Sequence, residues 1–148
     1  MASQRRSPAA SWIAIVLIVV GAIFAVLGTI SYVTVSTTLA DERITVSEDA
    51  CLGGARVNHP IAAYCEAMII ETHAVEATGG KTYAELDRED PLRQTAMTGS
   101  FLRASLFTAV VAFGVSALVI GLGVLFILVG VALRSLVRRE DEPNAATT

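Results

Sequence analysis

Ser7–Ala40 and Ala104–Leu133 contain no charged residue, and a charge-rich segment beginning at Asp41 separates them. An α-helix rises about 1.5 Å per residue, so Trp12–Tyr32 alone would reach roughly 31 Å, the thickness of a bilayer's hydrocarbon core. With 53% hydrophobic residues clustered this way, the composition is too apolar for an ordinary soluble domain. In hydrocarbon every backbone N–H and C=O must be satisfied inside the chain, which selects helices for two such stretches. The expected fold is an all-α membrane protein, a two-helix transmembrane hairpin with a small, mainly helical extracytoplasmic domain. The expected boundaries are a cytoplasmic N-terminus over 1–11, transmembrane helix 1 over 12–35 and an extracytoplasmic loop domain over 36–103. Transmembrane helix 2 follows over 104–133, with a cytoplasmic tail over 134–148.

Charge placement orients the spans. Cytoplasmic flanks of membrane helices are enriched in Lys and Arg. Arg5, Arg6, Arg134, Arg138 and Arg139 cluster in the short ends, whereas the middle holds eleven of the chain's 14 acidic residues. Both termini are therefore expected in the cytoplasm, with the acidic middle outside the cell membrane. An acidic middle also argues against nucleic-acid binding, which needs clustered positive charge to displace counterions. Arg5 and Arg6 with Thr38-Leu39-Ala40 loosely imitate a secretory signal. A signal's apolar region runs only about 7–15 residues, however, so the first span is expected to stay as an anchor.

Both spans carry small residues at helical spacing: Gly21, Ala25 and Gly28 in the first, and Gly114, Ala117 and Gly121 in the second. Gly123 and Gly130 form a neighbouring line. Helices in lipid gain little from apolar burial against each other, so small residues that let backbones approach become the packing surface. These stripes are expected to hold the hairpin together, with a homo-oligomer interface as the alternative. Neither span contains an ionisable residue, whereas transporters and proton relays place such groups inside the membrane.

In the middle segment, Arg43–Ser47 alternates like a short extended piece and Cys51-Leu52-Gly53-Gly54 reads as a turn. Asn58-His59-Pro60 reads as a helix start, since Pro is tolerated in the first turn, and Gly79-Gly80 as its end. Ile61, Tyr64, Cys65, Met68 and Val75 recur at three- and four-residue spacing, which marks them as the buried face; Glu66 and Glu76 fall off it. Thr82-Tyr83-Ala84-Glu85 has capping-box spacing and predicts a short second helix. Asp90-Pro91 can start a further turn, Thr98-Gly99-Ser100 predicts a joint before the second span, and the tail after Glu140 reads as disordered.

Cys51 and Cys65 are the only cysteines, and both fall in the expected extracytoplasmic segment, where an even count of thiols tends to pair. A structural disulfide is expected; buried thiols, or metal ligands alongside histidines, are the alternatives. A bridge would close a loop of about 15 residues, worth roughly 3 kcal/mol on the chain-entropy model. His59, His73 and Glu76 invite comparison with a two-His-one-carboxylate iron site, but nothing in their spacing brings them together. The run Glu85, Asp87, Glu89 and Asp90 lacks the glycine and alternation of a Ca²⁺ loop. It reads as a solvated, interacting face. No catalytic, cofactor-binding or metal residues are assigned.

Three runs carry a resemblance: Asp41–Ala50, Gly80–Arg93 and Ser100–Thr108. Together they resemble a family of small two-span membrane proteins of actinobacteria, over Trp12 to about Leu133. Members of that family often bear the label aromatic ring-opening dioxygenase (LigA). The resemblance implies a fold and a compartment and brings no activity with it, because the two histidines lack the arrangement that such a dioxygenase's metal needs. The leading functional expectation is a non-enzymatic integral membrane protein, an accessory or interaction subunit presenting an acidic extracytoplasmic cap. Its expected partners are the lipid bilayer and a membrane or envelope protein, or a second copy of itself. A metal-dependent oxygenase and an extracytoplasmic sensor or ligand-binding cap are the alternatives.

Overall fold

The computed structural model describes residues Pro8–Asp141; Arg5, Arg6 and the tail beyond Asp141 lie outside them. Three helices form among the described residues: α1 (Pro8–Asp41), α2 (Pro60–Ala77) and α3 (Arg93–Asp141). No strand forms among them, only an isolated antiparallel bridge between Thr45 and Arg56. Both α1 and α3 are long and apolar enough to cross a membrane. The chain divides into two compact units: one holds the residues up to Ile30 and from Ser116 onward, the other Ser31–Val115.

In the first unit α1 and α3 run antiparallel and meet backbone to backbone. A Cβ placed on Gly21 would stand 2.6 Å from the Gly123 carbonyl oxygen, and one on Gly123 would stand 2.6 Å from the Ala25 nitrogen. A Cβ on Gly28 would stand 3.0 Å from the Ser116 oxygen, and one on Gly130 2.8 Å from the Ala14 oxygen. Ala14, Gly21 and Gly28 thus descend one helix by sevens while Gly130, Gly123 and Ser116 ascend the other. A seven-residue repeat falls slightly short of two helical turns and keeps a seam in register only if the helices wrap left-handedly. Large side chains such as Val16, Val19 and Ile23 on α1 and Val124, Leu125 and Leu128 on α3 are exposed around this seam. The Phe24 and Phe126 rings meet at 6.0 Å.

The expected stripe on the second span is displaced. Gly114, Ala117 and Gly121 are exposed, and a Cβ on Gly114 or Gly121 would meet nothing within 4 Å. Gly121 precedes Gly123 by two residues, about 200° around the helix, so only one of the two lines can face α1. Gly114 and Gly121 are also seven apart, but their line runs on into the bulky Leu128, whereas Ser116, Gly123 and Gly130 stay small opposite Gly28, Gly21 and Ala14.

The second unit packs the ends of α1 and α3 with α2 and the segments between. Its core is Val46, Val57, Ala62, Ala63, Cys65, Ala67 and Leu106, all buried. Tyr32 and Phe113 meet with ring centroids 4.8 Å apart. Residues 44–57 fold back on themselves: Val46 N–H donates to the Ala55 carbonyl at 2.8 Å and Val57 N–H to the Ile44 carbonyl at 3.0 Å. The reversal turns at Gly54, whose φ of 77° is open to glycine at little cost.

Helix α2 starts as its sequence signals. His59 is the N-cap, accepting from the Ala62 N–H through Nδ1 at 3.3 Å, and Pro60 occupies the first turn. It stops at Thr78, where Gly80 N–H returns to the Val75 carbonyl at 2.8 Å. Its faces follow the expectation at Cys65 and Glu76 but reverse it at Ile61, Tyr64, Met68 and Glu66. Ala62, Ala63, Cys65, Glu66 and Ala67 are buried, while Ile61, Tyr64 and Met68 are exposed. Alanines let α2 approach its neighbours closely, and the larger side chains would hold it away.

Two further expectations are corrected. The Glu85 carboxylate accepts from the Thr82 N–H as a capping box requires, but the Glu85 N–H goes to the Thr82 carbonyl and only a turn follows, because the chain soon enters the Asp90-Pro91 turn that starts α3. There is no joint at Thr98-Gly99-Ser100, since α3 passes through it unbroken. A Cβ on Gly99 would stand 2.5 Å from the Ala74 Cβ, so this glycine gives room for α2 beside α3.

The seam predicts opposite outcomes for chemically identical changes. Gly123→Ala should destabilise the helix pair by roughly 1–3 kcal/mol, the usual cost of overpacking. Gly121→Ala should be neutral or stabilise slightly, because alanine is the better helix former. Unfolding in mixed micelles, followed by circular dichroism, distinguishes the two.

Candidate functional site

The chemistry-bearing side chains of the second unit gather at two places, both built on α2. The first is the attachment of the 44–57 fold-back to α2. Cys51 and Cys65 are bonded, with Cα atoms 5.5 Å apart. Beside them Glu66, only 6% exposed, accepts from the Ser47 N–H at 2.8 Å and the Ser47 hydroxyl at 3.2 Å. A buried carboxylate needs such donors, and here they draw Glu66 inward although its spacing suggests the opposite face. Two turns further along, His73 Nε2 lies 2.7 Å from Asp49 Oδ2. This exposed contact holds the Asp49 carboxyl below its ordinary range and raises the His73 imidazole above its own, the hydrogen bond being the main cause of both shifts.

The second place is a cleft of about 310 Å³ between the C-terminal half of α2, the 81–84 segment and the start of α3. Ala74 and Ala96 form part of an apolar wall, while Lys81, Ser100, Arg103 and Glu71 bring polar groups to it. Arg103 Nη2 lies 2.7 Å from Glu71 Oε2, and its guanidinium carbon is 5.3 Å from the Phe107 ring centre. The Nε of Arg103 is buried and has no hydrogen-bond partner. The segment opposite is tied at three points. Thr78 Oγ1 donates to the Lys81 carbonyl, and the Thr82 N–H and hydroxyl both donate to Glu85 Oε2 at 2.8 Å. Arg93 lies over the Tyr83 ring at 4.1 Å and donates to the Leu86 carbonyl. The Thr82 donors hold the Glu85 carboxyl below its ordinary range.

The expected acidic face is thus divided in its uses. Glu85 closes the Thr82 turn, and Asp90 accepts from the Leu92 N–H at 2.8 Å at the entry to α3. Asp87 and Glu89 are exposed between them. The histidines do not converge, since His59 caps α2 and His73 pairs with Asp49. Among the described residues no three His, Cys, Asp or Glu side chains are grouped to hold a metal ion.

Sequence reasoning identified the cysteine pair and the start of α2 at Asn58-His59-Pro60, where His59 is the cap. It missed Glu66, whose role depends on the 44–57 segment folding onto α2, and Arg103 and the cleft, which depend on α2 lying antiparallel against α3. The spacing of Glu71 and Arg103 carries no local signal. Comparison of the chain with protein-family models, curated proteins and solved structures finds no match.

Two outcomes follow for the attachment. Glu66→Ala leaves the Ser47 donors without an acceptor and should cost about 1–3 kcal/mol, read from thermal unfolding of the disulfide-intact protein. The His73–Asp49 contact has a defined pH window. Its contribution is complete below His73's ordinary value and lost as pH rises through the raised one. At the acid end it is complete above Asp49's ordinary value and lost as pH falls through the depressed one. The stability difference between wild type and His73→Gln should therefore shrink at both ends of a pH series.

Proposed function

We propose that this chain is a non-enzymatic integral protein of the cell membrane, anchored by α1 and α3. Residues 36–103 form an acidic cap outside the cytoplasm, and both termini lie inside. Its role is that of an accessory or interaction subunit for a larger membrane or envelope protein, in keeping with the two-span family that its sequence resembles. The observation that carries the anchoring is the seam of small residues surrounded by exposed Val, Ile and Leu side chains. Water would penalise such a surface heavily, whereas lipid accepts it. The bonded Cys51–Cys65 pair supports an oxidising compartment for the cap.

The interaction role is supported by the outward face of α2. Ile61 is 63% exposed, and Tyr64 and Met68 follow it at three- and four-residue spacing. Large side chains at the surface and alanines within are what a helix shows when a partner completes its burial. Asp87 and Glu89 add an exposed acidic neighbourhood to the cap for a basic partner. The oxygenase alternative draws less support, since one ring nitrogen of each histidine is engaged and the two rings lie toward separate ends of α2.

Lys81, the chain's one lysine, is exposed and tests the topology directly. A membrane-impermeant amine reagent applied to intact cells should label the wild type and fail to label Lys81→Arg. Labelling that requires lysis would place the cap in the cytosol and overturn the orientation. For the interaction role, the tagged protein purified in mild detergent should bring down a second membrane chain, and Tyr64→Glu should weaken that recovery severalfold. A solitary monomer under the same conditions would count against the accessory role.

A further inference from the structure

We propose that the first two turns of α2 lie in the headgroup layer of the membrane beside the cap, with Ile61 and Tyr64 as the side chains in contact with lipid. The inference rests on the anchoring by α1 and α3, and a partner chain that docks on this face displaces lipid from it.

The first ground is depth. Along α1 the exposed large side chains end at Val33, and the exposed residues just beyond it are Thr34, Thr37 and Thr38. On α3 the exposed Val111 gives way in the same direction to exposed Thr108 and Ser105. The Tyr32 and Phe113 rings meet at 4.8 Å, so the two changes lie at one level. With these helices spanning lipid, the hydrocarbon edge falls where valine yields to hydroxyl side chains.

Two contacts fix the start of α2 just above that edge. Ser36 Oγ donates to the Asn58 carbonyl at 2.7 Å, and the Tyr64 ring meets the Phe107 ring at 6.0 Å. Ser36 is three residues beyond Val33 and Phe107 four before Val111, which is about 5–6 Å along each helix axis. The headgroup region on each side of the hydrocarbon is about 5–7 Å deep, so the start of α2 falls within it.

Charge placement is the second ground. Between Pro60 and Ile70 the one charged residue, Glu66, is turned inward onto Ser47. Glu71, His73 and Glu76 all lie in the second half of α2. That half climbs away along α3, where Glu71 meets Arg103 and Ala74 lies against Gly99. The helix is therefore apolar on the outside at its low end and charged at its high end. Ile61 is 63% exposed and Tyr64 47%, and a tyrosine ring with its polar tip suits the headgroup layer. Phe101, 73% exposed, stands ten residues before Val111, about 15 Å along the axis and so above the headgroups. Depth as well as apolarity thus selects which exposed side chains touch lipid.

The test uses the full-length chain with its one tryptophan replaced, Trp12→Phe, in phosphatidylcholine vesicles. Single tryptophan reporters are then read against lipids brominated near the top of their acyl chains or near the chain ends. Ile61→Trp and Tyr64→Trp should each lose about half their emission to the shallow bromines and much less to the deep ones. Phe101→Trp should keep nearly all of its emission with both. Ile23→Trp, midway along α1, reports the anchoring and should be quenched most by the deep bromines. Ile61→Trp and Tyr64→Trp unquenched beside a quenched Ile23→Trp would overturn the inference and leave the anchoring standing. Phe101→Trp quenched as strongly as Ile61→Trp would also overturn it, since the whole cap would then lie flat on the bilayer. An Ile23→Trp reporter indifferent to both bromines would sink the anchoring, and this inference with it.

Discussion

Hydrocarbon gives two apolar helices no reason to prefer each other over lipid, so their association depends on how closely their backbones can come. In this protein that closeness is set by Ala14, Gly21 and Gly28 against Gly130, Gly123 and Ser116. Dispersion falls away steeply with distance, and a methyl group at any of the three glycine contacts would force a gap that forfeits it. The rest of the span surface follows. With small residues claimed by the seam, Val, Ile and Leu are left to face outward, on helices long and apolar enough to cross a membrane. Several hydroxyls on these helices turn back to their own turn, as Thr29 does to the Ala25 carbonyl and Thr108 to that of Ala104, while Ser36 donates to the Asn58 carbonyl.

The second unit is held by a different logic. Its buried residues are mostly small, with Val46, Val57 and Phe113 the largest that are fully enclosed. A core of that size buries limited apolar area, and specific ties take over part of the work. The disulfide restricts the unfolded chain, Glu66 satisfies the Ser47 donors in a buried setting, and the Asp49–His73 pair adds an exposed contact. Their ranking follows from solvent. The covalent bond is indifferent to water and the buried carboxylate is shielded from it, whereas the exposed pair is screened and chiefly makes the attachment sensitive to pH. All three join the fold-back to one helix, so α2 is the element around which this unit is organised.

That organisation frees α2's outer face and shapes its inner end. Ile61, Tyr64 and Met68 are left outside because the alanines were needed within. Gly99 allows α2 to lie against α3 closely enough for Glu71 to reach Arg103. The acidic run then serves architecture as well as surface charge, with Glu85 and Asp90 forming the turns that carry the chain from α2 to α3. One segment thereby provides both an exposed apolar face and a cleft lined by Glu71, Lys81 and Arg103.

Local signals in the sequence determined the two long apolar helices, the start of α2 at His59-Pro60, its end at Gly79-Gly80 and the pairing partners among the cysteines. Each of these depends on neighbours in the chain, on length, hydropathy and capping chemistry, and so is readable from the order of residues. Tertiary structure alone decided which glycine line of α3 meets α1, which face of α2 turns inward, that Gly99 lies within a helix, and that Arg103 meets Glu71. Hydrophobic spacing assigned Ile61, Tyr64 and Met68 to the core, and the structure reversed this. The physical reason is that spacing reports which residues share a face. Whether that face is buried depends on how near the neighbouring elements must come, and here the close approach required alanine and glycine in place of bulk.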